Sequence, residues 1–242
     1  MILLLHAYPL SGRMWAALEA ELRARGAQTW APDYPGFGGT PGALRGLPDL
    51  ARDLLAELEA RGARDISAIG LSMGGYLLFE LLRQDPERFG ALVFADTRAE
   101  ADPPELRERR EQQAKRALEE GLDWLPQAAL PGLLSQQAPE ALQQQVRDLI
   151  AQASPQGVAA ALRAMAKRPD SRDLLPELRV PVLALAGSHD TLTPPEALRS
   201  LAARVPGAEY REIPGAGHLA SLEAPDAFNA AVIGFLEAHG RL

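Results

Sequence analysis

Residues 66–82 read ISAIGLSMGGYLLFELL, and this stretch decides how the surrounding chain folds. Its apolar start is typical of a buried strand, and its end has the composition of a buried helix. A strand can pass into a helix over so few residues only through a sharp turn, and Gly70 and Gly74 lack the side chains that would keep the two elements apart. We interpret Ser72, exposed at the end of the strand, as a nucleophile. The alternative is a glycine-rich turn that merely contains a serine.

A nucleophilic serine needs two partners. Its hydroxyl reacts poorly near neutral pH, so it needs a base within hydrogen-bond reach and an acid that orients the base. Asp190 follows the strand-like residues 181–186, and His218 follows the alternating residues 208–213. The carboxyl ends of parallel strands meet at one edge of a sheet, where residues distant in sequence converge. The sequence therefore predicts that Ser72, Asp190 and His218 act together.

Strand-like and helical patterns alternate through most of the chain. This alternation predicts the α/β class, with a mostly parallel central sheet and helices on both of its faces. The predicted strands lie near residues 2–5, 27–31, 66–70, 91–95, 181–186 and 208–213. The predicted helices lie near residues 14–25, 48–61, 75–84, 195–204 and 225–238.

The alternation stops between residues 97 and 178, where the composition turns to Glu, Arg, Gln, Ala and Leu interrupted by prolines. We predict a helical insertion here, with helices over 104–121, 139–153 and 157–168. The insertion divides a core formed by residues 1–96 and 179–242. The charged run at 107–111 is interpreted as the solvated face of a helix.

The bulk composition restricts the function. Among 242 residues the net charge is −7 and aromatic residues make up 5%, so no basic stripe for nucleic acid is present. The chain has no cysteine, which excludes disulfides and cysteine-ligated zinc. We expect no metal. The apolar start at 1–5 is too short for a secretory signal, and no run is long enough to span a bilayer, so we expect a cytoplasmic protein without membrane contact.

Taken together, these motifs resemble the α/β-hydrolase superfamily over roughly residues 2–239. Residues 4–12, LLHAYPLSG, are similar to the family's oxyanion loop, with Ala7 where the family usually has glycine. The resemblance implies that the backbone N–H groups of Tyr8 and Met73 form an oxyanion hole.

The resemblance also helps to identify the acid that orients the histidine. Asp96, at the end of the strand 91–95, competes with Asp190 for the role of the acid. The spacing Gly187-x-x-Asp190 resembles the family's usual acid loop, which favours Asp190.

The chain begins on what resembles the family's third strand. We therefore expect an N-terminally trimmed sheet, with two alternatives: either its edge is exposed and covered by a partner subunit in a homodimer, or the fold is simply shortened.

By resemblance to capped members, the insertion lies over the reacting groups as a lid and selects the substrate. Apolar side chains line most small-molecule pockets, although packing within the cap explains such residues equally well. The pocket candidates are Trp124, Leu125, Leu133, Leu134, Met165, Leu192 and Leu219.

The resemblance implies a serine hydrolase that cleaves a carboxylic ester of a small, largely apolar substrate through an acyl-enzyme and without a cofactor. Residues 95–102 and 218–229 are similar to the enol-lactonase-like branch, so a lactone is an alternative substrate. Hydrolysis of a carbon–carbon bond and perhydrolysis use the same machinery. A ligand-binding receptor on a hydrolase fold is the non-enzymatic alternative.

Overall fold

A computed structural model describes residues 1–242 and contains one central sheet of six strands. The strands are β1 (Ile2–Leu5), β2 (Thr29–Trp30), β3 (Ile66–Leu71), β4 (Phe89–Ala95), β5 (Val182–Gly187) and β6 (Glu209–Ile213). Their order across the sheet is β2-β1-β3-β4-β5-β6, and every neighbouring pair is parallel. The predicted α/β class is confirmed, with a sheet that is entirely rather than mostly parallel.

Ten α-helices accompany the sheet. They are α1 (Ala16–Ala24), α2 (Leu47–Ala60), α3 (Met73–Gln84), α4 (Pro104–Glu120), α5 (Leu125–Leu133), α6 (Glu140–Ile150), α7 (Pro155–Lys167), α8 (Pro195–Ala202), α9 (Ala220–Glu223) and α10 (Pro225–Ala238). Helices α4 to α7 lie between β4 and β5, and we call them the inserted helices. None of the ten combines the length and the apolar character that crossing a bilayer requires.

Three elements differ from the sequence prediction: β2, α5 and the short α9, which lies before the predicted helix 225–238. The strand expected over 27–31 is reduced to the two residues of β2 at the edge of the sheet. Helix α5 is not among the predicted helices, and proline in the interior of a helix often breaks it. Pro126 instead occupies the first turn of the helix, where a missing N–H is tolerated, and Pro131 lies close to its end.

Burial of the strands shows that both faces of the sheet are covered. All residues of β1, β3 and β5 are buried, and successive side chains of a strand point to opposite faces. Helices therefore exclude water from both sides, as parallel sheets require. The outermost strands β2 and β6 are more exposed.

The strand register brings the carboxyl ends of the central strands to one edge. Leu5 pairs with Gly70, Leu71 pairs with Ala95, and Ala95 pairs with Leu185. The loops that follow β1, β3, β4 and β5 consequently leave the sheet side by side. Ligands of parallel α/β sheets bind at this edge.

The turn between β3 and α3 is as tight as the sequence predicts. A β-carbon on Gly70 would lie 2.5 Å from the carbonyl oxygen of Gly74. A β-carbon on Gly74 would lie 2.1 Å from the carbonyl oxygen of Leu5 in the neighbouring strand. Both neighbours are backbone atoms, which cannot rotate away as a side chain can. Glycine is therefore required at both positions.

We expect Gly74→Ala to destabilise the protein by at least about 2 kcal/mol, because α3 and β1 must separate to admit the methyl group. The matched control is Gly234→Ala in α10, where a β-carbon meets nothing within 4 Å. This change should stabilise the protein by about 1 kcal/mol, since alanine is the better helix former. Urea unfolding of both variants measures the two effects. Equal stability of the Gly74 variant and the wild type would show that the turn is not tightly packed.

Candidate active site

Ser72, His218 and Asp190 form one chain of hydrogen bonds at the carboxyl edge of the sheet. The Ser72 Oγ lies 2.8 Å from Nε2 of His218, and Nδ1 of His218 lies 2.8 Å from Oδ2 of Asp190. A carboxylate can only accept a hydrogen bond. Nδ1 of His218 therefore carries a hydrogen and donates a hydrogen bond to Asp190. In the neutral ring Nε2 is then the acceptor for the serine O–H. This orientation leaves His218 able to take the serine proton.

The Asp190 carboxylate is held by its own loop. Its Oδ1 accepts the backbone N–H groups of Leu192 at 2.8 Å and Thr193 at 2.9 Å, while Oδ2 faces His218. Its side chain is fully buried. Both oxygens are engaged, so the acid is fixed in the position that orients the histidine.

The backbone of Ser72 is strained and held from one side by β4 and the loop after it. Ser72 has a φ of 55° and a ψ of −114°, a conformation that residues other than glycine rarely adopt. Its N–H donates to the carbonyl of Ala95 at 3.0 Å, and its own carbonyl accepts the Thr97 hydroxyl at 2.8 Å. These bonds hold the turn so that the Ser72 side chain projects toward His218.

Asp96, the competing acid, does not contact His218. It is fully buried, and its Oδ1 accepts the backbone N–H of Gly187 at 2.7 Å while Oδ2 has no partner. Burial raises the pKa of Asp96 well above the usual value, and the nearby charge of Asp190 raises it further. A neutral carboxyl group is therefore expected here, beside rather than within the chain of hydrogen bonds.

The two predicted oxyanion donors lie at the start of α3 and in the loop after β1. Met73 is the first residue of α3, where a backbone N–H lacks an acceptor within the helix, and Tyr8 follows β1. Neither N–H donates to another backbone group. Ala7 does not have a positive φ, so alanine in place of the family's usual glycine causes no backbone strain.

His6 supports the loop that carries Tyr8. Its Nδ1 lies 3.0 Å from the carbonyl oxygen of Ala7, and its Nε2 accepts the backbone N–H of Tyr34 at 3.3 Å. The ring stacks on that of Tyr34, with the centroids 3.7 Å apart. Complete burial lowers the pKa of His6 to about 3, so the ring stays neutral. His6 is therefore a hydrogen-bonded structural residue of this loop.

A cavity of about 590 Å³ opens above Ser72 and His218. Four of the predicted pocket residues line it: Leu125, Leu133, Met165 and Leu192. Helices α4, α5 and α7 form much of its wall, so the inserted helices lie over the serine.

Three of the predicted pocket residues, Trp124, Leu134 and Leu219, are not among the residues that line the cavity. The indole N–H of Trp124 donates to the carbonyl of Gly121 at 2.9 Å, and the Arg116 guanidinium covers the ring at 4.4 Å. Leu219 is completely buried, and its backbone N–H donates to Leu133 at 3.0 Å. Trp124 and Leu219 are therefore structural residues.

Sequence reasoning missed a charged wall of the cavity. Arg98, Arg109 and Arg110 line it together with a single carboxylate, that of Asp102. The run 107–111 was interpreted as a solvated helix face, and for Arg110 this is wrong. Its side chain is only 14% exposed, and its Nε donates to Asp102 at 2.6 Å. Helical spacing turns Arg110 inward while its neighbours face solvent, and the buried Asp102 that holds it could not be recognised from sequence.

Comparison with known proteins identifies the family. Residues 1–225 match the family model described as alpha/beta hydrolase fold, so the chain belongs to this family. A 3-oxoadipate enol-lactonase of Acinetobacter baylyi is 30% identical over 202 residues, which cover 81% of this chain and 73% of that protein. A pimeloyl-[acyl-carrier protein] methyl ester esterase of Chromobacterium violaceum is 28% identical over 98% of this chain and 94% of its own length.

Solved structures agree with this assignment. A thermophilic esterase from Thermogutta terrifontis superposes with a TM-score of 0.93 at 36% identity, covering 98% of this chain and 89% of that one. The enol-lactonase from Burkholderia xenovorans superposes with a TM-score of 0.86 at 27% identity, covering 98% and 90% of the two chains. The match extends over the inserted helices as well as the core.

The buried His6 predicts a dependence of stability on pH. Its pKa is about 3 in the folded protein and about 6.5 in an unfolded chain. Below pH 6.5 only the unfolded chain takes up this proton, so the stabilising contribution is complete above pH 6.5 and is lost as the pH falls toward 3. The free energy of unfolding should therefore fall by up to about 1.4 kcal/mol per pH unit because of this group.

The variant His6→Gln should show a shallower decrease of the free energy of unfolding between pH 6.5 and 4, because one proton fewer is taken up on unfolding. His189→Gln removes an exposed histidine and serves as the control. Urea unfolding at several pH values gives the slopes. Identical slopes for wild type and His6→Gln would contradict the neutral, buried ring.

Proposed function

We propose that this protein is a serine hydrolase that cleaves carboxylic esters through an acyl-enzyme. The observation that carries the proposal is the unbroken chain of hydrogen bonds from Ser72 through His218 to Asp190, open to a cavity at its serine end. A purely structural serine would not require a strained backbone or a histidine whose acceptor nitrogen faces its hydroxyl.

In the first half of the reaction, Nε2 of His218 accepts the proton of Ser72 while Oγ attacks the ester carbonyl carbon. The carbonyl oxygen becomes negatively charged, and the N–H groups of Tyr8 and Met73 stabilise it. Asp190 stays ionised and stabilises the imidazolium. His218 then protonates the leaving alcohol, and the acyl group remains on Ser72.

In the second half, His218 takes a proton from water, which attacks the acyl carbonyl. The same two N–H groups stabilise the second oxyanion, and His218 returns its proton to Ser72 as the acid leaves. Every proton and electron pair is supplied by the ester, water and the three side chains, so the sequence of steps requires no cofactor.

The relatives support ester cleavage, because they include an esterase and enol-lactonases, and a lactone is a cyclic ester. We propose that the inserted helices act as the cap that selects the substrate, since they contribute much of the cavity wall. A linear ester and a lactone would use the same three side chains.

The test is covalent labelling with a fluorophosphonate probe, followed by measurement of intact mass. Wild type should gain one adduct, which Ser72→Ala lacks and His218→Ala forms much more slowly. Ser200→Ala, on α8, is the control for serine removal. Hydrolysis of p-nitrophenyl esters should fall on the order of 10⁴-fold or more in Ser72→Ala, and on the order of 10⁴-fold in Asp190→Asn, which disturbs the histidine tautomer.

Absence of an adduct on folded wild-type protein, with ester hydrolysis equal in wild type and Ser72→Ala, would contradict the proposal. The protein would then be a receptor on a hydrolase fold, which thermal shifts by bound esters without turnover would reveal.

A further inference from the structure

A buried ionic cluster lies in the wall of the cavity. The Asp102 side chain is 1% exposed and has two guanidinium partners. Its Oδ2 accepts from Nε of Arg110 at 2.6 Å, and its Oδ1 lies 2.7 Å from Nη1 of Arg168. Arg168 is itself 4% exposed. One carboxylate therefore faces two guanidiniums, and the cluster carries an uncompensated positive charge.

The two arginines differ in how many of their N–H groups donate hydrogen bonds to oxygen atoms of the protein. Arg168 donates to the backbone carbonyls of Met165 and Glu100, and its guanidinium lies 4.0 Å above the ring of Tyr76. Arg168 also lies outside the cavity lining. The Nη groups of Arg110 donate no hydrogen bond to a protein oxygen, since Nη1 reaches only the Met165 sulfur at 3.5 Å and sulfur is a weak acceptor. The excess charge is therefore presented to the cavity by Arg110.

The surroundings of Arg110 add positive charge rather than balance it. Arg98 and Arg109 also line the cavity, and neither is paired with a carboxylate. Nε of Arg98 is buried without a partner, while its Nη2 is directed to the Leu192 carbonyl and the Thr193 hydroxyl. Burial raises the pKa of the Tyr8 hydroxyl, and the charge of Arg110 opposes part of that rise.

We infer that the substrate carries a carboxylate in addition to its scissile ester, and that Arg110 binds this carboxylate. The inference rests on the proposed esterase function and narrows its substrate class to half-esters of dicarboxylic acids and to lactones with a free carboxylate. A guanidinium whose Nη1–Nη2 edge donates to no protein oxygen fits a carboxylate through charge-assisted hydrogen bonds. The apolar residues Leu106, Leu125 and Leu162 line the same cavity and would contact the chain between the two groups.

Removing Arg110 should leave the fold intact. Asp102 keeps Arg168 as a partner in Arg110→Gln, so the cluster becomes electrically balanced rather than losing its last counter-charge. The control is Arg116→Gln on the same helix. Arg116 pairs with Glu120 and lies outside the cavity lining, so this variant changes the net charge equally without touching the site.

The experiment compares two esters of the same shape. Monomethyl glutarate carries the carboxylate, and methyl 4-carbamoylbutyrate has an uncharged amide in its place. We expect wild type to prefer the carboxylate, as measured by the ratio of the two kcat/KM values. This ratio should fall by about 10- to 100-fold in Arg110→Gln, the range for a lost hydrogen bond to a charged group. Arg110→Lys should retain part of the preference, and Arg116→Gln all of it.

Binding without turnover separates this inference from the proposed function. Glutarate should raise the Tm of wild type and of Ser72→Ala, and it should not raise the Tm of Arg110→Gln. Ester hydrolysis with equal kcat/KM for the two esters, or an unchanged ratio in Arg110→Gln, would overturn the inference while the esterase function stands. If no ester is hydrolysed and no probe adduct forms, the proposed function fails, and the glutarate shift alone decides whether Arg110 binds a carboxylate.

Discussion

The architecture of this protein depends on one close approach, between the backbone of Gly74 at the start of α3 and the carbonyl of Leu5 at the end of β1. This close approach allows α3 to begin directly over the sheet edge. Ser72, the residue before α3, consequently cannot relax into an ordinary strand or helix conformation. Ser72 holds its strained backbone because its N–H and carbonyl are bonded to Ala95 and Thr97. The position of the hydroxyl is thus fixed by the packing of a helix on two strands, and a displacement of any of them would move it.

The sheet supplies the second constraint, since parallel strands in register end together. Asp190 and His218 lie far from Ser72 along the chain, yet they reach it because their loops leave the same edge of the sheet. The two acids at this edge differ in their surroundings. Asp190 accepts hydrogen bonds from two backbone N–H groups, whereas Asp96 is buried with one oxygen unpartnered. Two charged carboxylates so close together would repel, and the raised pKa of Asp96 removes that repulsion.

The fold and the hydrogen-bonded side chains of Ser72, His218 and Asp190 can be predicted from the sequence because both follow from local patterns: apolar runs, glycine positions and residues at strand ends. The sequence does not show which way a side chain of the inserted helices faces. Trp124 reads as a pocket residue from its size, yet its N–H bonds to the turn before α5. Arg110 reads as solvated within a charged run, yet it lines the cavity because Asp102, eight residues earlier, is buried beside it. Orientation of this kind arises from tertiary contacts that periodicity does not record.

The ion pair between Asp102 and Arg168 joins a residue just before α4 to a residue just after α7. The ion pair thereby joins the two ends of the segment between them. The entropic free-energy cost of closing such a loop rises slowly with its length, by about 0.6 kcal/mol for each doubling. Helices within the loop can consequently be lengthened, shortened or exchanged at little cost to the core. Under the proposed function, exchange of this one continuous segment would change the wall of the cavity and leave Ser72, His218 and Asp190 in place at the sheet edge.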